Sequence, residues 1–159
     1  MAMHTWFECK IRYEKVMENG MQKKVTEPYL VDALSFTEAE TRIIEEMTPF
    51  ISGEFTVSDI KRANYSELFP SDEESADRWF KCKLIFITLD EKSGAEKKTS
   101  TQVLVQAADL RDAVKKLDEG MKGTMADYQI GMVSETPLMD VYPYSAEPND
   151  KPEFDPAKS

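Results

Sequence analysis

Apolar and polar residues alternate strictly at the start of the chain. Over residues 6–13, Phe7, Cys9, Ile11 and Tyr13 fall on one side of an extended segment and Trp6, Glu8, Lys10 and Arg12 on the other. That two-residue period is the mark of a strand. The arrangement returns over 79–86, where Phe80, Cys82, Leu84 and Phe86 oppose Trp79, Lys81, Lys83 and Ile85. Each stretch runs into a turn, Glu18-Asn19-Gly20 in the first and Glu91-Lys92-Ser93-Gly94 in the second. Asn-Gly and Ser-Gly supply the positive-φ positions that hairpins need. A returning strand follows, 23–33 and then 97–107, each with a Lys-Lys pair near its start and a Leu-Val-x-Ala close.

The period then changes to that of a helix. Phe36, Ala39, Ile43 and Met47 share one helical face, as do Leu110, Ala113, Leu117 and Met121. Ser35 reads as an N-cap with Glu38 reaching back, and Asp109 with Asp112 is the weaker equivalent. Beyond the helices, 55–69 and 128–142 each read as containing a third, bulged strand. The copies lie 73 residues apart on the first strand (79 − 6) and 74 on the helix (110 − 36), so the second hairpin holds one extra residue. Aligning Ser66-Glu67 with Ser134-Glu135 shortens the later offset to 68 (134 − 66).

These patterns predict an α+β protein made by tandem duplication of a strand-strand-helix-strand unit. Each unit is a fully antiparallel sheet in order 2-1-3 with one helix on one face, and the units are related by a pseudo-two-fold. The repeated Trp-Phe-x-Cys strand is central, and Pro28 places the second strand at an edge, because proline cannot donate to a ladder. The expected boundaries are 1–69 for the first repeat, 70–77 for an acidic linker, 78–144 for the second repeat, and 145–159 for a polar, Pro-rich tail read as disordered.

These segments resemble an uncharacterised family of small bacterial and phage proteins, known only as a domain of unknown function. Its pattern opens with Trp-aromatic-x-x-Lys, as at 6–10. It continues through Val-Thr-Glu-x-Tyr-Leu-Val-Asp-Ala and Ser-Phe-Thr-Glu-Ala-Glu, as at 25–33 and 35–40, to a second Trp-aromatic-Lys-x-Lys, as at 79–83. The resemblance spans nearly the whole chain up to Tyr144 and implies no activity, substrate or cofactor.

Composition narrows the function classes. The formal charge of −10 argues against an overall basic nucleic-acid binder and against an anionic membrane surface as partner. No apolar run is long enough to span a bilayer, and the first residues lack the basic and apolar regions of a secretory signal. Two cysteines without a signal suggest a cytoplasmic setting and free thiols. Cys9 and Cys82 could pair or act as a redox switch, but both lie on the apolar strand face, where a thiol behaves as a small hydrophobe. The lone histidine, His4, is read as frayed, which removes most His-based catalysis and most zinc sites. The carboxylates of the first helix and of Asp72, Glu73 and Glu74 read as solvated faces, without calcium-loop spacing. No phosphate loop, dinucleotide fingerprint or nucleophile elbow occurs.

The candidate site is therefore the polar face of the repeated strand: Trp6, Lys10 and Arg12, with Trp79, Lys81 and Lys83. Lys23, Lys24, Lys97 and Lys98 lie on neighbouring strands and could make that face basic. Such a face could stack bases and hold phosphates, or the tryptophans could be covered by the other repeat or a partner subunit. The expected function is a non-enzymatic binding or adaptor protein with no cofactor, meeting another protein or its own copy through its sheet face or edges. The alternative is a single-stranded nucleic acid or nucleotide binder using the Trp/Lys face.

Overall fold

The structure, a computed structural model, describes residues 5–143. The expectations for His4 and for the 145–159 segment concern residues that lie outside the described ones. The fold is α+β, with two four-stranded sheets and two helices. The described residues divide into two compact units, one comprising 5–63 together with 140–143, the other running from Asn64 to Met139.

The first unit contains β1 (Trp6–Val16), β2 (Gln22–Asp32), α1 (Phe36–Met47), β3 (Phe55–Ala63) and β8 (Asp140–Tyr142), in sheet order β3-β1-β2-β8. The second contains β4 (Glu67–Phe69), β5 (Arg78–Leu89), β6 (Glu96–Ala107), α2 (Leu110–Gly120) and β7 (Asp127–Glu135), in order β4-β6-β5-β7. The central strands are β1 and β5 with their hairpin partners, and their pairing with β3 and β7 is antiparallel as well. Register slips once in each sheet, between Lys10 and Ile11 and between Lys83 and Leu84, which leaves Ser58 and Gly131 as the extra residues of equivalent bulges. The hairpins close at Val16↔Gln22 and Leu89↔Glu96, so the second loop is one residue longer, with Gly20 at φ 81° and Gly94 at φ 71° taking the left-handed positions.

Three expectations change. The sheets are not fully antiparallel, because each gains a three-residue strand that runs parallel to β2 or β6. Nor does the second strand form an edge: Tyr29, Leu30 and Val31 pair with β8, and Pro28 sits one residue before that ladder begins. The boundaries move too. Residues 64–69, assigned by sequence to the first repeat, join the second unit, and β8, assigned to the second repeat, joins the first. With β4 and β8 in equivalent places, the late offset is 73 (140 − 67) and not 68. The alignment of Ser66-Glu67 with Ser134-Glu135 matched two dipeptides that belong to different elements.

Each helix lays its apolar stripe on one sheet face. In the first unit Phe7, Cys9, Ile11 and Val31 pack with Ala39, Ile43 and Met47. In the second, Phe80, Cys82, Leu84 and Val103 pack with Ala113, Leu117 and Met121. Phe36 and Leu110, the first residues of their helices, stand at the margins, 48 % and 52 % exposed. The caps are reciprocal in both units. Ser35 Oγ accepts from Glu38 N at 3.1 Å, and Glu38 Oε1 accepts from Leu34 N, one residue before the expected partner. Asp109 Oδ1 accepts from Asp112 N, and Asp112 Oδ2 accepts from Ala108 N. Ser35→Ala is expected to cost about 0.5–2 kcal/mol of stability, read as a lower denaturation midpoint; an unchanged midpoint would show that the cap contributes nothing.

The expected linker is folded backbone. Ser71 N donates to Gln106 Oε1 at 2.9 Å and Ala76 N to Glu73 O at 3.1 Å. Lys116 Nζ, from α2, reaches Ser71 Oγ, Glu73 Oε1 and Asp112 Oδ2 at 3.0, 2.9 and 3.1 Å, which satisfies all three of its donors.

Candidate functional site

The sequence places Trp6 and Trp79 on the strand faces turned away from the helices, and register agrees. Trp6 pairs with Asp32 and Ala63, Trp79 with Gln106, all outside the helix-side clusters. Both indoles are buried, at 2 % and 5 % exposure. Leu30 and Leu104, on the same faces, are completely covered. A ring that stacks on a nucleobase must offer a free π-face, and neither indole does. Alternation decided which face each tryptophan occupies; whether that face is covered depends on contacts remote in sequence.

The cations of that face fall into two different settings. In the first unit β3 sets opposite charges against β1: Lys10 lies opposite Asp59, and Glu8 opposite Lys61. Arg12 is exposed and lies between Thr26 and Thr56. The expected basic face is thus a mixed-charge ladder here. In the second unit Lys81 lies between Leu104 and Ser134, and Lys83 between Gln102 and Met132, so no acid stands directly across from either. Lys98, opposite Ile87, extends this line, whereas Lys97, opposite Thr88, faces the other way.

The element that sequence reasoning missed is the closing strand. Glu67-Leu68-Phe69-Pro70 and Asp140-Val141-Tyr142-Pro143 share an acid–aliphatic–aromatic–proline pattern at a fixed separation, and each forms the parallel strand of its sheet. In both, the aromatic residue turns to the helix side. The Tyr142 ring stacks on Tyr29, centroids 6.1 Å apart and planes at 24°. Phe69 lies so close to Gly120 that a Cβ there would stand 2.8 Å from the ring, nearer than carbon atoms approach, so only glycine fits beneath it. Proline ends the ladder, since it has no N–H to donate. A helix cation at an equivalent place then holds the chain beyond the strand. Arg42 Nη2 donates to Pro143 O at 3.2 Å and Nη1 to Asp32 O, while Lys116 holds Ser71 and Glu73.

A family model described as a domain of unknown function, DUF4494, matches residues 5–144. The chain belongs to the DUF4494 family. No curated protein matches it. For this member of DUF4494, chemistry must therefore be read from its own side chains.

One polar knot distinguishes the first unit. Glu27 Oε1 accepts from Tyr13 Oη at 2.9 Å and Tyr29 Oη at 3.2 Å, and Oε2 lies 3.6 Å from Lys15 Nζ. Both carboxylate oxygens are engaged. Burial raises the Tyr29 hydroxyl, helped by the Glu27 charge, and pushes Tyr142 up to about 12 with help from Asp140 and Glu46. The equivalent positions in the second unit are Phe86, Thr101 and Val103, which fill the same space without a charge.

The thiols are free and completely buried. Burial pushes Cys9 up to about 12, aided by Glu8, Asp59 and Glu40, and Cys82 up to about 11. Neither is a poised nucleophile, since the thiolate is the reactive form. Two open clefts lie among the described residues. One, of about 640 Å³, is lined by Phe69, Ser71, Glu73 and Lys116; the other, of about 600 Å³, opens between the first hairpin and Phe55. Among the described residues no three His, Cys, Asp or Glu side chains gather as metal ligands, and no helix is long and apolar enough to cross a membrane.

Proposed function

We propose that this DUF4494 protein is a non-enzymatic binding protein of the cytoplasm that meets its partner, another protein or its own copy, by strand addition to its sheets. The observation that carries the reading is that each sheet already accepts a short parallel strand from a distant segment, while its opposite margin, β3 or β7, pairs on one side only among the described residues. A strand paired on one side presents a row of free N–H and C=O groups, which extended peptides use for affinity. Uncharged, buried thiols suit a reducing compartment.

The test uses Ser58→Pro. Ser58 is the extra residue of the β3 bulge, a place where proline is tolerated while it blocks an added strand. Wild-type chain should capture from host lysate a protein that the Ser58→Pro chain does not; equal capture by both would remove β3 from the account. The second reading, single-stranded nucleic acid or nucleotide binding, draws on Lys81 and Lys83, which have no acid directly across from them. It requires oligonucleotide binding that weakens steeply with salt, and absence of binding at low salt removes it.

A further inference from the structure

The strand-acceptor groove beside β2 has a defined chemistry. Its backbone is offered by Tyr29, Leu30 and Val31, which pair in register with Asp140, Val141 and Tyr142. Neighbouring residues of a strand point to opposite faces. Tyr142 therefore stacks on Tyr29 toward the helix, while Val141 turns to the other face, where it is 7 % exposed. The guanidinium of Arg42 takes the Pro143 carbonyl. The twin groove beside β6 takes Glu67–Phe69 in the same register sense, with Lys116 in the place of Arg42. The chain thus displays twice what such a groove recognises: an acid, an aliphatic residue, an aromatic residue and a proline, in parallel extension.

The occupant of the first groove is not supplied by the unit's own contiguous chain. That unit's continuous part ends at Ala63, and its fourth strand returns only at Asp140, after a separate compact unit has been built. Only three of the eleven residues of β2 are covered by it, so residues 22–28 keep a free outer margin beyond the Pro28 break. The strand is tethered to its groove only through residues 64–139, and the tether sets the effective concentration with which a strand from a second chain must compete.

We propose that the groove beside β2 also accepts Asp140–Tyr142 from a second copy of the chain, giving a dimer in which closing strands are exchanged. This rests on the reading of the sheets as strand acceptors, and it names both the groove and the occupant. A second copy carries the same strand and the same following proline for Arg42, so every contact made within one chain is reproduced between two. No new surface has to be created, which is why exchange of an identical element is a low-cost route to dimers.

The register supplies a trap. Tyr29 and Asp140 are direct partners with side chains on one face, and neighbouring strands lie about 5 Å apart, within the span of a disulfide. Cys9 is a free thiol directly opposite Tyr29 on β1, so full-length Tyr29→Cys and Asp140→Cys chains, each in a Cys9→Ala, Cys82→Ala background, are mixed at high concentration under oxidised glutathione. The expected result is a covalent heterodimer, a shift from one chain mass to two, that neither chain forms alone. A single chain carrying both substitutions serves as the geometric control and should close internally at low concentration. Internal closure in that control without heterodimer in the mixture overturns the proposal, and so does a control that fails to close, because the register would then be wrong. The result is independent of Ser58→Pro, which reads the margin on the opposite side of the same sheet.

Discussion

Trp79→Ala is expected to lower the stability of the folded chain by about 3–5 kcal/mol, the usual cost of deleting a buried tryptophan ring. The indole is 5 % exposed, beside a completely covered Leu104 on the adjacent strand. Its backbone is pinned as well, since Thr136 donates to Trp79 O through both N and Oγ1 at 2.9 Å. The backbone cannot easily retreat to fill the space, so the cavity term should be retained. Chemical denaturation with an unchanged m-value reads the loss. A change below about 0.5 kcal/mol, within the range of surface substitutions, would show that the ring is not packed and would make the face a ligand surface again.

The second large effect concerns the thiols. Cys9 and Cys82 should label in the native chain only through unfolding, at a rate lower by about three orders of magnitude or more than in the unfolded chain, given ordinary domain stability. Rapid labelling of either would contradict their burial. The same burial makes stability depend on pH in one direction. The folded thiols hold their protons to about 12 and about 11, against 9.0 for an unperturbed thiol. The folded pKa is raised, so this contribution is whole below pH 9 and is lost as pH rises toward 11–12, where the unfolded chain binds fewer protons than the folded one. Tyr29 and Tyr142 act with the same sign from their ordinary value of 10.0 upward. The denaturation midpoint should therefore fall across the alkaline range, and Cys9→Ala should lessen the fall.

Much of this fold is legible because its signals are local. Alternation from Phe7 to Tyr13 and from Phe80 to Phe86 marked the central strands, Asn19-Gly20 and Ser93-Gly94 marked the hairpins, and Ser35 and Asp109 marked the helix starts. The closing strands escaped because three residues are too few for a period to show, and because a parallel partner is chosen by distant contacts. Their signal was present in another form, as Glu67-Leu68-Phe69-Pro70 repeated by Asp140-Val141-Tyr142-Pro143 at the separation the first strands already indicated. The candidate site was half legible. The face of Trp6, Lys10, Arg12, Trp79, Lys81 and Lys83 followed from alternation. The cover over both indoles, and the Asp59 of β3 that stands opposite Lys10, did not, since both depend on which residues arrive from elsewhere in the chain.

The most direct measurement of strand addition is amide hydrogen exchange along β3, in the chain alone and with its captured partner. Amides of Trp6 to Tyr13 in β1 and of Tyr29, Leu30 and Val31 should be protected in both states, because those residues are paired on both sides. Outward amides of β3 should exchange quickly in the free chain and slow sharply in the complex. Exchange along β3 that is the same with and without partner, while the partner remains bound, would contradict the account.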